Sequence, residues 1–236
     1  MKFGKVEIPE SLIQSLQGNK VIVFAGAGVS MGAPANLPDF VTLTRKILNL
    51  EESEKFDNPD QKLGEGFDQG VRIHEQCIRI LNQGLPQPTQ LHQDILRLFP
   101  KSTKVITTNF DLLFETAFKK LYPDEKVKTY NAPVFPLGNN IEGIIYLHGN
   151  INDSRSIVLS DSDFGRAYLS ESWAKRLLTD AFLNYDFIFV GYSYNDTILK
   201  YLTRSLPKNR ISNLYAFANI EENNNIQQIN HWKSLG

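Results

Sequence analysis

The chain has 236 residues, 42% of them hydrophobic, with 25 Lys and Arg against 26 Asp and Glu. That length suits one domain with a sizeable buried core, and no apolar stretch approaches the ~20 residues that cross a bilayer. A net charge of −1 and one cysteine, Cys77, argue against broad nucleic-acid binding, an internal disulfide and a four-cysteine zinc site.

Short apolar runs recur at Val21–Phe24, Val105–Thr107, Ile144–Leu147, Phe187–Val190 and Leu214–Phe217, each suited to a strand buried on both faces. Helical spacing fills Phe40–Leu50, Leu91–Phe99, Leu112–Leu121, Trp173–Leu183 and Thr197–Leu206. The alternation predicts an α/β fold: a Rossmann-like parallel sheet with helices on both faces. The stretch of about 51–88 interrupts it, polar and glycine-containing at first and then helical, and is expected to form a small helical insertion lobe within a single domain over 1–236. Thr89 is expected to cap the helix that follows. The closing segment Ile229–Gly236 stops without a tail, so the chain is expected to be the N-terminal part of a longer protein. The start lacks the apolar region of a secretory signal, and a reducing cytoplasm is the expected compartment.

Three separated strings carry chemistry: Gly26-Ala27-Gly28-Val29-Ser30 after the first strand, Thr107-Thr108-Asn109-Phe110-Asp111 after the second, and Tyr146-Leu147-His148-Gly149 at the end of the third. Gly-x-Gly after a strand permits a tight turn and lets a pyrophosphate approach the backbone. Here Gly32 follows Gly28 by four residues, a departure from the usual dinucleotide spacing, and a plain glycine turn fits as well. Ser30 reads equally as a helix cap or a phosphate contact. Asn109 and Asp111 fall at the carboxyl edge of the sheet, where doubly wound folds bind ligands; Asp111 also suits an N-cap. His148 at a strand end, followed by Gly149, is the candidate base; His74, His92 and His231 receive no catalytic task. Gly191, Tyr192 and Ser193 form a further turn at the same rim, and Asn219 follows the last strand, there to meet an adenosine or close a turn. No Gly-x-x-x-x-Gly-Lys-Ser/Thr loop, Gly-x-Ser-x-Gly elbow or metal-spaced His/Cys cluster occurs.

In this order the motifs resemble the sirtuin superfamily, and among its members the bacterial Sir2-like domains that hydrolyse NAD+ in anti-phage defence. Gly26–Ser30 stands for the opening motif, Pro38-Asp39-Phe40 for the Pro-Asp-Phe segment, Thr108–Asp111 for Gln-Asn-Ile-Asp, His148-Gly149 for the catalytic His-Gly and Gly191-Tyr192-Ser193 for Gly-Thr-Ser. Val41 replaces the arginine usual in deacylases, and the four zinc-binding cysteines are missing after the histidine. The resemblance implies an NAD+ glycohydrolase without a zinc ribbon, metal or bound cofactor, acting in abortive infection. His148 would be the base, Asn109 would position ribose and water, and Asp111 would orient the nicotinamide carboxamide. Gly26, Ala27, Gly28, Ser30, Asp39, Phe40, Thr108, Gly191, Tyr192, Ser193 and Asn219 would contact the dinucleotide. Such a hydrolase would kill its host if constitutively active, so control by homo-oligomerisation, by a fused or associated sensor module, or by a phage-derived trigger is expected. Two other readings stand beside it: an NAD-dependent protein deacylase, and a catalytically silent nucleotide-binding regulatory domain.

Overall fold

A computed structural model describes residues 2–3, 6–99, 102–192 and 213–217. Strands β1 (Lys2–Phe3) and β2 (Val6–Glu7) form a short antiparallel ribbon before helix α1 (Glu10–Gln17). The main sheet comprises β3 (Val21–Ala25), β4 (Lys104–Thr107), β5 (Thr129–Asn131), β6 (Gly143–Tyr146), β7 (Asp186–Val190) and β8 (Leu214–Ala216). Its order is β5-β6-β4-β3-β7-β8, with every pairing parallel. This is the expected Rossmann-like arrangement, and parallel pairing explains the continuous apolar runs of β3, β4, β6 and β7, because crossover helices cover both faces. Strand β8 departs from the expected burial on both faces, since it lies at the sheet edge with Leu214 and Tyr215 half-buried and Ala216 exposed.

Alternate residues of each strand enter different cores. Ile22, Phe24, Ile106, Ile145, Phe187 and Phe189 pack with Leu177, Ala181 and Phe182 of helix α9 (Trp173–Asn184). Val21, Val23, Val105, Ile144 and Ile188 pack on the other face with α6 (Gln90–Arg97) and α7 (Leu113–Leu121) through Ile95, Leu96, Phe114 and Phe118. Burying one such aromatic or aliphatic side chain contributes about 1.5–3 kcal/mol.

Between β3 and β4 lie a four-residue turn of helix, α2 (Gly28–Met31), then α3 (Phe40–Leu48), α4 (Pro59–Asp68) and α5 (Ile73–Leu81). The last three share a third core, through Leu43, Ile47, Leu63, Ile73, Cys77 and Leu81, closed by Leu113 and Leu159. Helix α4 forms despite Gly64 and Gly66 because the missing side chain serves packing: a Cβ on Gly66 would stand 2.3 Å from Leu48 Cδ2 of α3. Helix α5 is tied to α8 (Asp161–Gly165), where His74 Nε2 lies 2.8 Å from Asp163 Oδ2. Burial alone would raise the Asp163 carboxyl, but hydrogen bonds from His74 and the amides of Ser160 and Leu159 bring it down to about 2.

The observed elements differ from the sequence reading in detail. Strand β5 was not anticipated: its three residues Thr-Tyr-Asn lie at the sheet edge, two of them exposed, and carry no apolar run. Helix α3 ends at Leu48, where Asn49 turns into the left-handed region at φ 54°. The expected helix Thr197–Leu206 and the segment Ile229–Gly236 lie outside the described residues. Among the described residues no helix is long and apolar enough to cross a membrane.

Candidate active site

The strand register brings the three strings together. Ala25 pairs with Thr107 and Val190, and Thr107 with Tyr146, so β3, β4, β6 and β7 end at one rim. The segments leaving that rim line one cavity of about 110 Å³, which Ala27, Ser30, Phe40, Thr108, Asn109, Asp111, Phe164, His148 and Tyr192 border together. Rims of this kind are the ligand sites of open α/β sheets.

Buried polar side chains at the rim form a connected network. Ser30 Oγ donates to Asp111 Oδ2 at 2.9 Å, and Asn109 Nδ2 donates to Ser30 Oγ at 3.1 Å and to Asp111 Oδ2 at 3.3 Å. Asp111 Oδ1 accepts the Leu113 amide at 3.0 Å. Asp111 therefore serves the start of α7 with one oxygen and the network with the other. Burial raises its carboxyl pKa, opposed by the donors of Leu113, Ser30 and Asn109.

His92 is the participant that sequence reasoning left out. Its Nδ1 accepts the Thr89 amide at 3.2 Å, within the Thr89 capping arrangement of α6 that the sequence did predict. Nε2 must then carry the proton and donates to Ser30 Oγ at 3.3 Å. Only the folding of α6 against α2 could reveal this; a histidine three residues after a cap reads as part of the cap. Burial lowers its pKa to about 4.

His148 follows β6 in a turn closed by the Gly149 amide on the Tyr146 carbonyl, 3.1 Å. Gly149 has φ +80°, and a Cβ there would stand 2.2 Å from the Ser156 carbonyl oxygen, so this turn demands glycine. The His148 imidazole is 2% exposed and contacts Phe164 edge-on, with centroids 5.2 Å apart, and Tyr168, whose hydroxyl lies 2.7 Å from Nε2. Burial lowers its pKa to about 3, so the ring is neutral at pH 7.

The glycine loop is occupied differently from the expected anion cradle. The amides of Gly26 and Gly28 donate to the carbonyls of Val190 and Gly191, both at 2.9 Å. A Cβ on Gly28 would lie 2.8 Å from Gly191 Cα, and one on Gly26 would lie 2.9 Å from the Tyr192 ring. In this structure the two glycines and Gly191, at φ +75°, permit close approach of two loops at the rim. Tyr192 stacks on Phe24 at 5.4 Å, and its hydroxyl lies 2.7 Å from Thr108 Oγ1. Asp39 caps α3, accepting the Thr42 amide at 2.7 Å, while its neighbour Phe40 borders the cavity. Ser193 and Asn219 lie outside the described residues. Among the described residues no group of three or more His, Cys, Asp and Glu is placed to hold a metal ion.

Residues 103–236, more than half of the chain, match the SIR2-like domain. The chain belongs to that family. The matched region begins just before β4 and includes Asn109, Asp111 and His148; the Gly26–Ser30 loop precedes it. A curated relative from Sinorhizobium fredii (strain NBRC 101917 / NGR234), described as uncharacterized protein y4cA, is 29% identical over 86% of this chain. The chain covers 19% of that relative's length. Family membership points to a function related to NAD+, in a family whose members are usually enzymes.

Proposed function

We propose that the chain is an NAD+ glycohydrolase that cleaves the nicotinamide N-glycosidic bond to nicotinamide and ADP-ribose. The observation that carries this reading is the convergence of His148, Asn109 and Asp111 on one cavity at the carboxyl rim of the parallel sheet. Nicotinamide leaves NAD+ as a neutral molecule from a cationic ring, so bond cleavage needs little acid assistance. What remains is to hold the ribose and deliver water to an oxocarbenium-like centre, as in glycoside hydrolysis.

The neutral His148 ring does not repel the cationic nicotinamide, and the ribose hydroxyls and water brought by the substrate would replace part of the burial that lowers its basicity, leaving it to accept the proton. Asn109 would position ribose and water, and Asp111 would orient the nicotinamide carboxamide. At about 110 Å³ the cavity holds about four waters' share of liquid volume. That is below the ~300 Å³ at which small-molecule sites begin, so it accommodates the nicotinamide end alone. The adenosine half would pass over the glycine loop, and Tyr192 and Phe40, which border the cavity, would turn outward to admit it. Ala27, Thr108 and Gly191 are then the neighbours available to the diphosphate and ribose, while Gly26, Gly28 and Ser30, whose donors are already engaged, shape the loop they would rest on, and no metal or bound cofactor is invoked.

The sequence favours hydrolysis over deacylation because it has a single cysteine and places Val41 where deacylases carry arginine. A constitutive NAD+ hydrolase would deplete its host, which motivates control through self-assembly, an associated sensor module or a phage-derived trigger, in a cytoplasmic defence role. The test is chromatography of nicotinamide after incubating the chain with NAD+ over a range of chain concentrations, with and without an acetylated peptide. Peptide-independent release, steeper than linear in chain concentration, is expected; His148→Ala should lower it by ~10²–10⁴-fold while NAD+ binding persists. Release that requires peptide would establish the deacylase instead, and no release at any concentration the silent nucleotide-binding domain.

A further inference from the structure

The His148 ring meets the protein through one nitrogen. Nε2 lies 2.7 Å from the Tyr168 hydroxyl, and Nδ1 has no hydrogen-bond partner among the described residues. Among those residues the buried side-chain polar atoms without a partner reduce to Tyr146 Oη. An unpartnered Nδ1 therefore borders open space, and the space that His148 lines is the cavity. Tyr168 does not line it; Phe164, from the preceding turn, does. The phenol thus engages the ring from outside the cavity.

Its position is built rather than incidental. Tyr168 sits in a π-helical turn, Arg166–Ser170, anchored by the buried Ala167. Such turns are rare and often accompany functional sites. The Tyr168 ring stacks on Phe164 at 6.1 Å and 22°, and both rings meet the imidazole nearly edge-on, at 80° and 89°. Two aromatic walls and one hydrogen bond leave the ring little freedom to rotate.

We propose that Tyr168 is the positioning residue of the site: its hydroxyl accepts Nε2–H of His148, fixing the tautomer whose bare Nδ1 lone pair faces the cavity as the proton-accepting atom. A neutral imidazole has one N–H, and whichever nitrogen carries it cannot accept. With the proton held on Nε2, Nδ1 is ready to receive one from a ribose hydroxyl or attacking water, and the cation so formed keeps its Nε2–H on the phenol oxygen. A base oriented by a third group through its other nitrogen is the general logic of activated-base sites. The kinetic consequence rests on the NAD+-hydrolase reading; the tautomer does not.

Two-bond ¹⁵N–¹H correlation spectra of the ¹⁵N-histidine-labelled chain test the tautomer without substrate, with His148 assigned by its loss in His148→Gln. The expected parent spectrum has a protonated Nε2 and a bare Nδ1. In Tyr168→Phe, which keeps the ring packing and removes only the hydroxyl, both nitrogens should move toward averaged shifts. There kcat for nicotinamide release should fall about tenfold, the worth of a hydrogen bond of ordinary strength, with KM unchanged. A parent spectrum with the proton on Nδ1, unchanged His148 nitrogens in Tyr168→Phe, or a Tyr168→Phe kcat within twofold of the parent would each overturn the proposal. A parent chain that releases no nicotinamide while showing the expected nitrogens would defeat the hydrolase reading and leave the tautomer assignment standing.

Discussion

His148 and His92 are both buried and both held neutral, one against Phe164 and Tyr168 and the other between Thr89 and Ser30. Each has a folded-state pKa, about 3 and about 4, below the 6.5 of the unfolded chain. Between those values the unfolded chain binds more protons, so stability rises with pH, is fully present above 6.5 and is lost as pH falls toward 4. His92 alone should cost about 3 kcal/mol between pH 6.5 and 4, at 1.36 kcal/mol per unit. Urea midpoints measured across that interval check it: the parent should weaken steeply, and His92→Gln should flatten the slope. A parent curve level from pH 6.5 to 4 would mean that these rings titrate freely. The sequence singled out His148 through its place at a strand end before glycine. It offered no such signal for His92 or Tyr168, whose roles come from contacts with Ser30, 62 residues away, and with His148, 20 away.

At the scale of elements, the glycines divide by what surrounds them, which no spacing rule expresses. Gly28 lies against backbone atoms of Gly191, which cannot turn aside as a side chain can, whereas a Cβ on Gly32 would meet nothing within 4 Å at an ordinary φ of −77°. Gly28→Ala should therefore cost about 2 kcal/mol through overpacking, or about 4–8 °C in Tm for a chain of this size. Gly32→Ala should leave Tm nearly unchanged. Calorimetry of the two variants decides: equal melting temperatures would mean that the loops are not in close contact. Four of the six main-sheet strands were legible because burial on both faces writes a continuous apolar run, and β8 was legible from Leu214–Phe217 although it is a half-buried edge strand. Strand β5 was not, since an exposed edge strand of three residues writes none. Helix α4 was hidden by its two glycines, whose reason lies in Leu48 and Asp161 across the helix surface.

At the scale of the molecule, a parallel sheet delivers four strand ends to one rim, and the chemistry follows from that delivery. Motifs as far apart as Ser30, Asn109 and His148 become neighbours because β3, β4 and β6 run the same way in adjacent register. Alternating strands and helices made this convergence predictable from sequence. The contact of Tyr192 with Thr108 beside the cavity was not predictable, since it forms only after β7 is placed beside β3. The most direct measurement is a crystal structure of His148→Ala grown with NAD+. The nicotinamide ring is expected within the cavity, with its ribose at the mouth between Asn109 and residue 148 and with Tyr192 displaced from Thr108. Dinucleotide bound elsewhere on the chain, with this cavity unchanged, would contradict it.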